Sequence, residues 1–249
     1  MQYRHMEKGN FEDYAAGRVL LHAPGQSHFP VRLSCELFSR CLELFPEDQK
    51  LTLYDPCCGG GYTLTVLGFH FADRLCGIFG SDISMEAVRL ARQNLSLLTE
   101  SALQLRVTQL EELAAVYGKD SHRGACESAE RLMKKVMRFT GKIPVSVFQA
   151  NALAPGRMGE VPASMAMGSV DILFADVPYG NLASWAGKND ETQGENPLNT
   201  LLDAVGPFVS QKGLVLIASD KGQRVDHSGW KRVEKSNHGK RRIEVLARR

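Results

Sequence analysis

Leu51-Thr-Leu-Tyr-Asp-Pro-Cys-Cys-Gly-Gly-Gly-Tyr62 is the stretch whose reading decides the fold. A short apolar run ends in an acid and a glycine turn, and a helix-like segment opens at Tyr62. Glycines let a backbone approach a ligand closely, and the N-terminus of the following helix offers unsatisfied N–H groups to it. About twenty residues beyond the glycines, a second short run, Cys76-Gly-Ile-Phe-Gly-Ser81, ends in Asp82, where a carboxylate can hold ribose hydroxyls. Two consecutive β-α units of this kind predict a nucleoside-type cofactor bound at the turn.

Charge and spacing narrow the cofactor. A dinucleotide fingerprint requires G-x-G-x-x-G, whereas Gly59 and Gly61 are followed by Leu64 where the third glycine belongs. Asp55, closing the first run, would also set a negative charge beside a pyrophosphate. The same carboxylate suits a cationic ligand. S-adenosylmethionine carries a sulfonium, an ammonium and a ribose but no phosphate, and it matches acidic strand ends around a glycine loop. An acid that merely caps a helix or shapes a turn is the alternative.

Working outward, Phe29 to Phe45 places Val31, Leu33, Leu37, Phe38, Leu42 and Phe45 at near-helical spacing, an amphipathic helix closed by Pro46. Ser84 is a helix N-cap with Glu86 in the first turn, and Val88, Ala91, Leu95 and Leu98 share one face. Residues 101–141 have helical periodicity without a β-branched run, so they form a helical insertion between strands two and three. Pro144–Gln149, Val170–Asp176 and Gly213–Ser219 are short, nearly continuous apolar runs, which predict strands covered on both faces. Lys231–Lys235 and Arg241–Leu246 flank Asn237-His-Gly-Lys240 as an antiparallel hairpin. The expectation is an α/β fold, a doubly wound, mostly parallel seven-stranded sheet. Residues 1–249 form a single domain, with a helical extension at 1–50 before a cofactor-binding core at 51–249.

Bulk properties exclude more than they identify. In 249 residues, 43% hydrophobic and 23% charged content leaves an ordinary globular chain and rules out a disordered or fibrous one. No apolar run approaches the ~20 residues of a membrane span, and Met1-Gln-Tyr-Arg-His5 lacks the apolar core of a secretory signal, so a cytoplasmic location is expected. Six cysteines without a C-x-x-C pair, and seven histidines without ligand spacing, indicate neither a disulfide framework nor a metal site. A net charge of +2 means that any nucleic-acid binding must come from local basic patches.

The Val170–Asp176 run leads into Asp176-Val-Pro-Tyr-Gly180, which sets a carboxylate, a rigid turn and an aromatic ring at the same sheet edge as Asp55 and Asp82. A planar base can stack on Tyr179 while Asp176 accepts a hydrogen bond from its N–H, leaving nitrogen electron-rich toward a methyl group. X-Pro-Tyr-Gly is also an ordinary turn sequence. Here the chain resembles the class I S-adenosylmethionine-dependent methyltransferases. Asp55-x-Cys57-x-Gly59-x-Gly61 is similar to their first motif, Asp82 to their ribose acid, and Asp176-Val-Pro178-Tyr179 to their (Asn/Asp)-Pro-Pro-Tyr motif, with Val177 in place of the first proline.

More narrowly it resembles the avilamycin-resistance 23S rRNA guanine methyltransferase family. Glu12 to Leu20, Ala23-Pro-Gly25, Phe29 to Leu33, Asp55 to Gly59 with Gly61-Tyr62, Thr65 to Gly68 and Asp176 to Gly180 carry that resemblance. It implies methyl transfer to guanine N1 in large-subunit rRNA, with Asp82 on the cofactor ribose and Asp176 to Tyr179 facing the base. Asn151 stands where an acid commonly holds the adenine amino group, so an amide carbonyl would make that contact. Alternatives are methylation of an exocyclic amine in RNA or DNA, and a non-catalytic RNA-binding protein that retains the fold.

Two basic groups are candidates for RNA phosphates. Arg131, Lys134, Lys135 and Arg138 follow i, i+3, i+4, i+7 spacing on the inserted helix, and Lys240, Arg241 and Arg242 belong to the dense basic hairpin. A solvated surface accounts for either group equally well. Trp185, in the polar stretch after Tyr179, is a further candidate for stacking. Arg18 and Arg32 have Glu12 and Glu36 as prospective ion-pair partners. Oligomeric state is left open, a monomer being the working expectation.

Overall fold

The computed structural model describes residues 1–24, 28–154, 161–177 and 196–249. The chain forms strands β1 (Leu51–Asp55), β2 (Leu75–Asp82), β3 (Val145–Gln149), β4 (Val170–Asp176), β5 (Val209–Asp220), β6 (Trp230–His238) and β7 (Arg241–Arg248). Among the described residues the helices are α1 (Val31–Leu42), α2 (Tyr62–Phe71), α3 (Met85–Ser96), α4 (Glu100–Tyr117), α5 (Asp120–Val136) and α6 (Pro197–Val205). The strands build one sheet in the order β3-β2-β1-β4-β5-β7-β6. All neighbours are parallel except β7, which runs antiparallel to both β5 and β6.

The continuous apolar runs become strands because alternate residues enter two different cores. Ile172 and Phe174 of β4 join one cluster, with Leu53, Ile78, Leu216 and Val245, beneath the N-terminal segment and α1 to α5. Leu173 and Ala175 point the other way, into a cluster with Tyr54, Val215, Ile217 and α6 residues Leu201 and Leu202. Each such large side chain contributes about 1.5–3 kcal/mol when fully buried. The sheet reverses direction between β1 and β4, where Leu53 pairs with Ile172 and Tyr54 with Leu173. Such a switch point opens a crevice at the carboxyl ends of the two strands, and Asp55 and Asp176 are the residues that close them.

The insertion between β2 and β3 is α4 and α5, joined at Gly118, whose left-handed conformation (φ +61°) and bond to the Ala114 carbonyl end α4. Ser84 caps α3 by accepting from Ala87 N–H at 3.3 Å. The helix expected from Phe29 ends at Leu42, before Pro46. Within the expected helical extension at 1–50 the helix is this α1. Among the described residues before Val31 there is a single 3₁₀ turn, Glu12–Tyr14, and the rest is irregular chain.

That irregular segment is held by side chains reaching from the core. Arg106 of α4 donates to the carbonyls of Arg18 (2.9 Å) and Val19 (3.0 Å). Glu36 of α1, fully buried, accepts from the backbone N–H groups of Arg4 (2.8 Å), His5 (2.9 Å) and Met6 (2.9 Å) and from Arg40 Nε (2.8 Å). Burial alone would raise its pKa, but these donors hold it down at about 2. Arg18 pairs with Glu12, whereas Arg32 donates to the Met6 carbonyl (2.8 Å) and stacks over Tyr3 rather than meeting Glu36. Among the described residues no helix is long and apolar enough to cross a membrane.

Breaking this hub is expected to cost about 1–3 kcal/mol, because Glu36→Ala removes the acceptor of Arg40 Nε and of three partly buried N–H groups, while Arg40 keeps Glu234 and the Gln2 carbonyl. Since an unfolded glutamate titrates near ~4.3, the stabilisation from Glu36 is complete above that pH and is lost as pH falls toward 2. Chemical denaturation of wild type and Glu36→Ala between pH 7 and pH 2.5 checks both points: the difference must shrink as pH falls.

Candidate active site

The glycine turn is built by backbone bonds that its own acids organise. Asp55 Oδ1 accepts from Cys57 N–H (2.9 Å), Cys58 N–H donates to the Ser81 carbonyl of β2 (2.9 Å), and Gly61 N–H closes back onto the Cys58 carbonyl (2.8 Å). Gly61, the N-cap of α2, sits at φ +71°, and a Cβ there would lie 2.9 Å from both Cα and Cβ of Ala91 on α3. Glycine is therefore required twice, by conformation and by the close approach of a neighbouring helix.

Asp82 joins the two β-α units. Its Oδ2 accepts from Gly59 N–H and its Oδ1 from Ser84 N–H, both at 2.9 Å, while its own carbonyl accepts from Ala150 N–H (2.9 Å) after β3. The Asp82 carboxylate thus fixes the glycine turn and the start of α3, and its main-chain carbonyl the chain after β3. There Asn151 Oδ1 accepts from Leu153 N–H at 3.0 Å, which orients its carboxamide at the same edge.

The electrostatics of this edge are dominated by crowding of negative charge. Asp55 is only 3% exposed. Burial, then the nearby carboxylates of Asp176 and Asp82, push its pKa well above the ordinary range. The same burial, with repulsion from these acids, raises the thiols of Cys57 and Cys58 strongly, so both stay protonated and neither has the thiolate character of a nucleophile. Asp176 closes β4, and Val177 N–H still donates to the Ala218 carbonyl of β5 (3.0 Å). Pro178, Tyr179 and Trp185 lie outside the described residues.

A residue the motifs do not reveal braces the glycine turn from behind. Asn94 of α3, 0% exposed, donates to the carbonyls of Gly60 in the turn (2.8 Å) and Leu21 in the N-terminal segment (3.1 Å), and accepts from Leu21 N–H (2.7 Å). It ties the irregular segment to the glycine turn. The sign in the sequence was an asparagine beside Ala91 and Leu95 on an apolar helical face, since a polar group buried there must find partners. Nearby, His28 stacks on Tyr62 (4.3 Å between centroids) and shares a hydrogen bond with His22 (2.9 Å).

The basic candidates are divided by the fold. α5 ends at Val136, so Arg138 falls just past it; Arg131 is engaged by Asp13 (2.7 Å), and Lys135, half-buried, donates to Tyr14 Oη (2.8 Å), so two of the four cations are committed to the N-terminal segment while Lys134 and Arg138 remain exposed. In the hairpin, Lys240 is exposed, whereas Arg241 lies with its guanidinium 5.2 Å from the Phe29 ring. Arg242 is corrected: it is 6% exposed and donates to both oxygens of buried Glu244 (2.9 and 3.0 Å), which also binds Arg232. An arginine so enclosed cannot meet a phosphate.

Comparison with known proteins identifies the relatives of this arrangement. A family model described as rRNA methyltransferase AviRa matches residues 1–241. A curated relative from Streptomyces viridochromogenes, named 23S rRNA (guanine(2535)-N(1))-methyltransferase, is 33% identical over 240 residues, covering 96% of this chain and 93% of its own. A solved structure of rRNA methyltransferase aviRa from the same organism has a TM-score of 0.85 at 32% identity, covering 100% of this chain and 96% of that one. A second structure of that protein gives 0.85 at 31% identity.

The raised pKa of Asp55 has a sign that can be measured. A carboxyl whose folded pKa is raised stabilises the fold below its unfolded pKa of ~3.9 and loses that contribution as pH rises through the folded value. Asp55→Asn, which keeps an oxygen for Cys57 N–H, is therefore expected to raise the unfolding midpoint of the ligand-free protein at pH 8 and to flatten its pH dependence; a lower midpoint at pH 8 would contradict the electrostatic account. Asn94→Ala leaves a buried N–H and two carbonyls unpartnered and should cost about 2–4 kcal/mol, with hydrogen exchange accelerating at both Leu21 and the glycine turn rather than at one of them.

Proposed function

The chain belongs to the AviRa family of rRNA methyltransferases, and from that premise we propose that it methylates ring N1 of a guanine in 23S rRNA, using S-adenosylmethionine as donor. The observation that carries the reading is the convergence of Asp55 and Asp176 at the switch point of the sheet, with Asp82 fixing the glycine turn beside them. The name of the Streptomyces viridochromogenes relative supports N1 of guanine over an exocyclic amine. A ribosomal RNA substrate also goes with a cytoplasmic location.

The residues present fit the donor. A crowded, partly buried set of carboxylates repels phosphate and suits a cation, and at positive-φ Gly59 a Cβ would meet nothing within 4 Å, so the turn leaves open space beside it. When bound, S-adenosylmethionine supplies a methyl group on a sulfonium, so the protein need not activate the leaving group. Asp55 and the turn backbone hold the amino-acid end, with Cys57 lining the pocket as a neutral thiol. Asp82 accepts from the ribose hydroxyls through the lone pairs its backbone donors leave, and Asn151 meets the adenine amino group with its carboxamide oxygen.

Asp176 faces the substrate base. It accepts the proton from guanine N1–H, placing the nitrogen lone pair in line with the methyl carbon, while Pro178 and Tyr179 fix the turn and stack the base. Most of the acceleration is positional, since an oriented in-line pair replaces a bimolecular encounter in water.

Labelled methyl transfer from S-adenosylmethionine to large-subunit rRNA, followed by nucleoside analysis, should give 1-methylguanosine. Asp176→Ala should lower the rate about 10²–10⁴-fold with donor affinity little changed. Undiminished transfer by that variant would remove Asp176 from the chemistry, and label in another nucleoside would overturn the target. Asp55→Asn should weaken donor binding, and wild-type affinity should rise with pH as the Asp55 proton becomes easier to displace, a proton release that calorimetry in buffers of different ionisation enthalpy will detect.

A further inference from the structure

The two groups of basic residues stand at opposite ends of the sheet. Asp176 pairs with Ala218 of β5, and Ala218, Ser219 and Asp220 pair in turn with Ile243, Arg242 and Arg241 of β7. The β6–β7 turn, at Gly239-Lys240, therefore projects beyond the same edge as Asp176, about 10 Å to the side at two strand spacings and about 10 Å further along the strands, since Lys240 is three residues past Ile243. The α5 group lies the other way. Lys135 bonds to Tyr14, whose ring is 4.8 Å from His70 in the last turn of α2, and Thr140 bonds to Asp73 just ahead of β2 (3.0 Å). Because α2 begins at the glycine turn, its ten residues separate that end from the catalytic edge by about 15 Å.

The loop after β5 supplies further cations on the catalytic edge. Asp220 turns inward, its Oδ1 accepting from Gly222 N–H (2.9 Å) and its own N–H meeting Gln223 Oε1 (3.1 Å). The Arg224 carbonyl accepts from Asn196 Nδ2 (2.6 Å), and Asn199 bonds to the backbone of Asp226 (N–H to Oδ1, 3.1 Å), so the loop is pinned to the start of α6. Lys221 and Arg224 are exposed on this fixed backbone, with Asp226 the exposed acid beyond them. In the hairpin, Glu244 and Glu234 bind Arg242, Arg232 and Arg40, which leaves exposed Lys240 at the tip clear of those acids.

We infer that Lys221, Arg224 and Lys240 form the surface that carries the RNA backbone flanking the target base, and that Lys134 of α5 and Arg138 just past its end take no part in it. The inference rests on the proposed rRNA substrate. A base delivered to Asp176 brings its neighbouring phosphates to the same edge, and a cation on a pinned loop meets them with little ordering cost. The β5–β6 loop and the hairpin tip thus act as one docking rim beside the pocket, not as generic basic surface.

The test compares Lys221→Ala/Arg224→Ala/Lys240→Ala with Lys134→Ala/Arg138→Ala, measuring kcat and KM on a large-subunit rRNA fragment across a salt series, donor affinity, and filter binding of the same RNA. The triple variant should raise KM roughly 10-fold or more and flatten the salt slope by about two, with kcat at saturating RNA and donor affinity unchanged; the α5 variant should match wild type. Wild-type methylation of rRNA together with an unaffected triple variant, or with losses in the α5 variant instead, would overturn the surface while leaving the proposed function standing. If the wild-type protein neither methylates nor binds rRNA, the proposed function fails and this inference falls with it.

Discussion

Negative charge gathered at the reversal of the sheet is the constraint around which the molecule is arranged. Asp55 is almost wholly buried, and Asp176 and Asp82 stand close enough to raise its pKa further. A fold ordinarily avoids such a cluster, because each carboxylate opposes ionisation of the next. It is tolerated here because backbone N–H groups answer the acids: Cys57 for Asp55, Gly59 and Ser84 for Asp82. The repulsion that remains suits a cationic group at the carboxyl ends of the parallel strands.

The N-terminal segment is held by parts of the chain far apart in sequence. Asn94 reaches Leu21 and Gly60, Arg106 reaches Arg18 and Val19, and Glu36 gathers the N–H groups of residues 4 to 6. None of these contacts builds regular secondary structure. Through Asn94 the irregular segment is tied to the glycine turn, so the turn rests on α3 and Leu21 as well as on its own backbone bonds.

What could be read in the sequence, and what could not, divides along this line. The strands were legible because β1, β2, β4 and β5 are buried on both faces and so read as continuous apolar runs, and α3 announced itself through Ser84 and an apolar stripe. The irregular residues described before Val31 were not, since their order rests on single side chains, two of them 118 and 121 positions away, and leaves no period. The partners of the basic residues were hidden for the same reason. The spacing of Arg131 and Lys135 placed them on one helical face, but only the fold brings Asp13 and Tyr14 against it. The acids at 55, 82 and 176 were recognisable as strand ends, and their mutual proximity follows from strand order. The roles of Pro178, Tyr179 and Trp185 rest on sequence alone.

The enclosed arginine of the hairpin has a consequence for how the sheet finishes. β6 is an edge strand, with Lys231, Val233 and Lys235 exposed, and edge strands are prone to slide or to pair with foreign chains. Successive residues of β7 face opposite cores, so sliding the strand by one position would carry Arg242 and Glu244 together away from Arg232 of β6 and toward the apolar side now occupied by Ile243 and Val245. Burying that charged pair there would cost several kcal/mol, more than the slip could recover in backbone bonds. Arg232, Arg242 and Glu244 therefore work as a ratchet pawl: they permit one alignment of the last two strands and penalise its neighbours, which fixes where the turn at Lys240 falls.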